Sequence, residues 1–358
     1  MERQIYTAVD ANINRTLEGL RVCEDIMRFC LHRTDLSVRF KEARHRVAEA
    51  ARVFPQQRIL HGRDVEADEQ KFIDMEGELT RNSLAGMFSS NLHRATEAVR
   101  SLEEFGKLAG AGGNAFQEIR FDLYALEREC LSALLRRNAA VRMQGALYAL
   151  LDSAYVPAGG FAGAAANMIR GGASVIQLRM KASHTKEILK VAREIAELCR
   201  QEHVLFIIAG HVDIAILAGA DGVHLEMNDI CVRDARALVP PDLLVGQTIY
   251  SPDEITRAEE DGADYVAVGP VYGTVWHTEA GSMELRGSGV SIVARARGMT
   301  SLPVVATGGI VPENAAAVMA AGAAAVMAGS FLFRDGSVEE NCRALAAAIK
   351  SASRHEQP

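Results

Sequence analysis

A chain of 358 residues with 49% hydrophobic side chains is long enough for two folded domains, each with its own core. Its net charge of −7, with no basic stripe interleaved with aromatics, speaks against nucleic-acid binding, and no stretch is apolar for long enough to span a membrane. The N-terminus MERQIYTAVD is too charged for a signal peptide, and the six cysteines show no CxxC or other metal spacing, so reduced thiols in a cytoplasmic protein are expected.

In chain order, residues 1–138 place apolar side chains at helical spacing without strand-length alternation, which predicts an all-α domain. One helix design occurs there twice. Residues 12–29, NINRTLEGLRVCEDIMRF, and 91–108, NLHRATEAVRSLEEFGKL, align without a gap. The order Asn12, Arg15, Glu18, Arg21, Glu24 returns as Asn91, Arg94, Glu97, Arg100, Glu103. A spacing of three makes successive charges neighbours on one helix, and a single such ladder reads as solvated salt bridges of about 0.2–0.5 kcal/mol each. Two copies facing each other about a pseudo-twofold would instead line a cleft with Arg15, Arg21, Arg94 and Arg100. Such a cleft suits a phosphorylated ligand, with the four glutamates orienting the guanidinium groups or holding a metal. No GxxxxGK[ST] phosphate loop is present.

The glycine-rich AGAGGNA segment is followed by another amphipathic helix, so the domain boundary is expected at RNAAVRMQG, before a second domain over 145–358. From Leu147 onward eight short apolar runs alternate with helical stretches: LYALLD, SVIQLR, LFIIA, GVHL, LLVGQT, DYVAVG, PVVATGG and AAVMAGS. This pattern predicts an α/β fold, a (β/α)8 TIM barrel after the all-α domain, with its chemistry at the C-terminal ends of the strands.

The residues at those ends are polar or glycine. Gln177 and Arg179 close the second run on one face, with Lys181 just beyond, and two cations with an amide suit a phosphorylated substrate. Asp229 follows the fourth run, either as a Mg2+ ligand or as the N-cap of a helix from Val232. Thr248 closes the fifth run, and Thr274 and His277 follow the sixth. Gly308 and Gly309 after the seventh and Gly329 and Ser330 after the eighth let backbone N–H groups approach phosphate oxygens.

Together SVIQLRMK, ADGVHLEMND, GADYVAVGPVYGT, PVVATGGIVPENAAAVMAAGA and AVMAGS resemble the thiamine phosphate synthase and thiazole tautomerase superfamily over essentially the whole barrel. In the synthases, Mg-pyrophosphate leaves hydroxymethylpyrimidine diphosphate, and the nitrogen of thiazole phosphate attacks the resulting pyrimidine cation. The resemblance implies that Arg179 and Lys181 bind pyrophosphate, Gln177 helps hold the pyrimidine and Asp229 takes Mg2+. It also implies that Thr248 and Thr274 bind leaving-group or substrate oxygens, while Gly308, Gly309, Gly329 and Ser330 hold the thiazole phosphate. Synthases usually show Asn-Asp after strand three, where this chain has Ala209 and Gly210, and T-x-T-K after strand six, where it has Thr274, Val275, Trp276 and His277. A protonated His277 would return part of the lost charge.

The AGHVDIA and SGVSIV segments also resemble the tautomerases, whose proton-transferring His is matched here by Tyr250. The helical half resembles a domain fused to some thiamine phosphate synthases, which implies phosphorylation of hydroxymethylpyrimidine phosphate. The expected protein is a transferase of thiamine biosynthesis, using Mg2+ and small phosphorylated pyrimidine and thiazole substrates, with a homo-oligomer left open. The alternatives are a thiazole phosphate tautomerase and a non-catalytic barrel that binds thiazole or thiamine phosphate.

Overall fold

The computed structural model describes residues 2–62, 83–110, 112–181, 183–278, 281–335 and 337–354. The helical reading of residues 63–82 lies outside the described residues. The chain divides into two compact units, residues 1–135 and 136–358. Among the described residues no helix is long and apolar enough to cross a membrane.

The described part of the first unit is helical: α1 (Glu2–Asp25), α2 (Thr34–Ala50), α3 (Gln56–Gly62), α4 (Leu84–Leu108) and the start of α5 (Asn114–Val141), with a π-helical turn over Ile26–Cys30. The two copies of the repeat lie on α1 and α4, which pack along each other. Leu20 and Cys23 of the first copy and Leu92, Val99 and Leu102 of the second are fully buried with Phe40 and Phe88, whose rings meet edge-on at 6.0 Å. Each such large apolar side chain contributes about 1.5–3 kcal/mol by leaving water.

The last position of the repeated polar series turns inward in both copies. Glu103 is 2% exposed and pairs with Arg100 at 2.6 Å, Lys107 at 2.9 Å and Arg120 of α5 at 3.2 Å. Glu24 is likewise buried, beside Arg44 of α2 at 2.9 Å and Arg21 at 3.8 Å. Both glutamates thus serve as internal counter-ions between helices, beside guanidinium groups of their own helix and of a neighbouring one. Arg15, Glu18, Arg94 and Glu97 are exposed and form no ion pair among the described residues. Asn12 and Asn91 each donate to a carbonyl four residues back, on Ala8 and Met87, both at 2.8 Å.

The Lys107 ammonium above all, then the Arg100 and Arg120 guanidinium groups, pull Glu103 down to about 2 against the opposing effect of burial. A folded-state value below the ordinary 4.5 means its contribution to stability is complete above that pH and is lost as pH falls through about 2. The stability gap between the wild type and Glu103→Gln, followed by denaturant titration, is therefore expected to shrink steadily across that acid window. A gap that stays constant would contradict the pairing.

In the second unit the elements run β1 (Ala146–Asp152), α6 (Phe161–Arg170), β2 (Ala173–Arg179), α7 (Thr185–Gln201), β3 (Leu205–Ala209), α8 (Val212–Ala218) and β4 (Gly222–Leu225). They continue with α9 (Val232–Leu238), β5 (Leu244–Ile249), α10 (Pro252–Glu260), β6 (Tyr265–Val268), β7 (Thr274–Thr278) and β8 (Gly281–Leu285). The last are α11 (Ser291–Met299), β9 (Val304–Thr307), α12 (Pro312–Ala320), β10 (Ala325–Ala328) and α13 (Val338–Arg354). Strands β1 to β6, β9 and β10 pair in parallel into a closed barrel, as the eight apolar runs predict. The antiparallel hairpin β7–β8, inserted after the sixth barrel strand, is an addition that the run pattern does not contain.

Helix α5 ends only at Val141, so the expected RNAAVRMQG linker, residues 137–145, is helical over its first five residues. The reason is tertiary: Arg136 pairs with Asp264 at 3.1 Å, and Ala140 and Met143 are buried against the inner barrel residues.

Period-two alternation sorts the barrel side chains. Leu147, Ala149 and Leu151 of β1 face the helices, while Ala146 and Tyr148 face inward. On β2 the inward row is Val175, Gln177 and Arg179, so it climbs from an apolar floor to a charged mouth.

Candidate active site

A cavity of about 880 Å³ opens at the C-terminal ends of the barrel strands. Arg179, Lys181, Asp229, Thr248, Thr274, His277, Gly308, Gly309, Gly329 and Ser330 all line it. Gln177 does not. It lies one inward step below Arg179, 2% exposed, under the floor of the cavity.

The β1, β2 and β4 side is charged. The β1–β2 register sets Asp152 opposite Arg179, and Arg179 Nη1 donates to Asp152 Oδ2 at 2.5 Å. Its Nε donates to Glu226 Oε1 at 3.1 Å and its Nη2 to the His277 carbonyl at 2.7 Å, so the 4% exposed guanidinium is held from three directions. Lys181 Nζ reaches the other oxygen of Glu226 at 3.0 Å. Asp229 accepts from the Glu226 backbone N–H at 2.7 Å, whereas the N-cap place before α9 belongs to Cys231, so the capping alternative for Asp229 does not hold. Burial first, then the nearby Glu226 charge, pushes the Asp229 carboxyl above its usual value, against the pull of that N–H.

The departure after β3 now has a physical reason. Gly210 has φ +74°, and a Cβ there would stand 2.9 Å from Asp229 Oδ1. The Asp229 carboxylate occupies the space where a side chain at 210 would begin.

The glycine turns follow β9 and β10, of which β10 pairs directly with β1. Gly308 (φ +93°) and Gly309 (φ +63°) turn the chain after β9, and a Cβ on Gly308 would meet Pro270 at 2.5 Å. Asn314 of α12 clamps this turn, donating to the Gly309 carbonyl at 3.1 Å and accepting from Val311 N–H at 2.9 Å. The Tyr155 hydroxyl meets His277 Nε2 at 2.9 Å, and the Tyr155 ring stacks on Phe333 at 5.4 Å. His277 is thereby carried on the hairpin strand β7, with its Nδ1 on Ser282 Oγ at 2.8 Å.

Beneath the floor runs a directional hydrogen-bond chain. Tyr148 donates to Gln177 Oε1 at 2.6 Å, so the 2.9 Å bond between the two tyrosines must be donated by Tyr265. His224 Nδ1 then donates to Tyr265 at 3.1 Å, and Nε2 accepts from Thr248 Oγ1 at 2.8 Å. Burial lowers His224 to about 4, which keeps the ring neutral as this order requires. Thr248 therefore presents only acceptor capacity to a ligand, not the donor a leaving-group oxygen needs.

Asp152, Tyr155, Glu226 and Arg334 line the cavity without having been singled out from sequence. Asp152 closes β1 and Glu226 follows β4 directly, the same strand-end signal that marks Arg179, and Arg334 lies just beyond the Ser330 turn.

Residues 147–332 match the thiamine monophosphate synthase family, and residues 7–129 match the ThiD2 family. The thiamine-phosphate synthase of Synechocystis sp. (strain ATCC 27184 / PCC 6803 / Kazusa) is 35% identical over 323 residues, covering 90% of each chain. That of Synechococcus sp. (strain CC9311) is 33% identical over 346 residues, covering 96% of this chain and 95% of the relative. The solved thiamine phosphate pyrophosphorylase from Pyrococcus furiosus superposes with a TM-score of 0.53 at 26% identity, over 60% of this chain and 99% of its own. On the barrel-wide match and the near full-length relatives, the chain belongs to the thiamine phosphate synthase family.

Proposed function

We infer that the barrel joins hydroxymethylpyrimidine diphosphate to thiazole phosphate, giving thiamine phosphate and pyrophosphate, and that the helical unit phosphorylates hydroxymethylpyrimidine phosphate to supply the diphosphate. The carrying observation is one cavity lined both by Arg179 and Lys181, each paired with a carboxylate, and by the glycine turns at Gly308, Gly309, Gly329 and Ser330. Two anionic ligands can be held at these two places in one cavity with their reacting atoms between them. The ThiD2 match supports the role given to the helical unit.

In the reaction the C–O bond from the pyrimidine methylene to the diphosphate breaks, and a C–N bond to the thiazole ring forms. Arg179 and Lys181 hold the departing pyrophosphate, the charge that develops as the bond breaks. The acceptor oxygen of Thr248 lies at the floor under the pyrimidine, and Gln177, its amide oriented by Tyr148, supports that floor from the layer below. Val275, Met283 and Leu285 of the hairpin put apolar surface on the cavity and limit water at a reactive cation.

Magnesium fits this site through Asp229. Among the described residues no group of three metal-ligating side chains exists, yet Mg2+ needs only one or two carboxylates when phosphates supply the rest. One Asp229 oxygen is taken by the Glu226 N–H, and its half-buried carboxyl is raised, an environment that a cation relieves. When bound, Mg2+ would neutralise charge on the leaving pyrophosphate.

The tautomerase alternative needs a base at Tyr250, but burial above all pushes that hydroxyl up to about 12, so it stays protonated at neutral pH. Six free cysteines favour a reducing, cytoplasmic compartment.

The test supplies the full chain with both substrates, with Mg2+ and then with chelator, and follows thiamine phosphate by chromatography. Product that disappears with chelator is expected. Thiazole phosphate bound without any product would replace the synthase by a binding barrel.

A further inference from the structure

Arg179 and Lys181 stand where the diphosphate belongs on the reading above, and one side chain already bridges them. Glu226 Oε1 accepts from Arg179 at 3.1 Å and Oε2 from Lys181 at 3.0 Å. Two oxygens of one anion spanning two cations is the arrangement that a diphosphate would make. We propose that Glu226 is an internal anion standing in the diphosphate subsite, that incoming diphosphate displaces it, and that this residue sets how tightly the subsite holds diphosphate.

Three observations carry the proposal. First, the cations have no net positive charge to offer while Glu226 is in place, because Asp152 and Glu226 balance Arg179 and Lys181. Second, displacement leaves the guanidinium oriented. Asp152 at 2.5 Å and the His277 carbonyl at 2.7 Å still hold it. Third, only the Glu226 side chain has to move. Its backbone N–H is fixed by Asp229 at 2.7 Å, and the Lys181 side chain is one-third exposed at the cavity mouth. A displaced Glu226 comes to rest beside Asp229, where a divalent cation relieves the repulsion between two carboxylates. Diphosphate binding should therefore depend on Mg2+ more steeply with Glu226 than without it.

A site closed in about nine of ten molecules binds about tenfold below its intrinsic affinity. Calorimetric titration of the full chain with inorganic pyrophosphate, with and without Mg2+, is expected to show Glu226→Gln binding at least about tenfold more tightly than the wild type and with a weaker Mg2+ dependence. Glu226→Asp, too short to bridge both cations, should shift the same way and serves if the glutamine variant does not fold. Equal or weaker pyrophosphate binding in the variants would overturn the proposal. If the wild type makes thiamine phosphate and the variants gain nothing, the proposal fails alone. If neither wild type nor variant binds pyrophosphate and no thiamine phosphate forms, the synthase reading fails with it.

Discussion

Arg179→Met is expected to lower thiamine phosphate formation by at least about 10²–10³-fold, the loss seen when one preorganised charge-stabilising group is removed. The same substitution should destabilise the barrel by about 3–5 kcal/mol, because it strands the buried Asp152 carboxylate without its guanidinium and leaves Glu226 with Lys181. Steady-state turnover and denaturant unfolding measure the two effects on one preparation. Lys181→Met separates them. Its ammonium is one-third exposed and reaches Glu226 Oε2 at 3.0 Å, so activity should fall with little change in stability. Full turnover in Arg179→Met would remove that residue from the chemistry.

Gly308→Ala is expected to raise the KM for thiazole phosphate about 10–100-fold while the KM for the pyrimidine diphosphate changes little. At φ +93° an alanine is strained by about 1–3 kcal/mol, and its Cβ would stand 2.5 and 2.6 Å from Pro270 atoms. The turn must open to relieve both, which moves the Gly308 and Gly309 backbone away from the place assigned to the thiazole phosphate. The two KM values from one set of initial-rate curves decide it. A variant affected equally for both substrates would show that the turn has only a structural role.

Much of the barrel is legible in the sequence because each strand carries its own apolar run and ends in a polar residue or glycine. The hairpin β7–β8 is not, since TVWHT and GSMEL build no barrel layer and lie between two runs whose order they leave intact. Its contribution to the site, His277 against Tyr155, depends on a fold-back that no local pattern encodes. At the charged end, Arg179 and Lys181 are legible as phosphate ligands while Asp152 and Glu226 are not, because acidic residues are not expected beside an anion. Only the register and the distances show that these carboxylates hold the cations.

The helical repeat is visible as a pattern, but its geometry is not. Arg15, Glu18, Arg21 and Glu24 look alike as charges, yet only Glu24 is buried, as Glu103 is in the second copy. That difference is made by Arg44 and Arg120, which arrive from α2 and α5 and follow their glutamates by about five helical turns of sequence. Gln177 shows the same limit on β2: alternation places it inward with Arg179, but depth below the floor comes from the stacking of Tyr148, Tyr265 and His224.

The most direct test of the synthase assignment is a single-turnover reaction of the full chain in excess over hydroxymethylpyrimidine diphosphate, with thiazole phosphate and Mg2+ present, quantifying thiamine phosphate and pyrophosphate in the same quenched samples. Equal amounts of the two, rising together, are expected. Pyrophosphate without thiamine phosphate, or neither product with both ligands bound, would contradict condensation in the barrel.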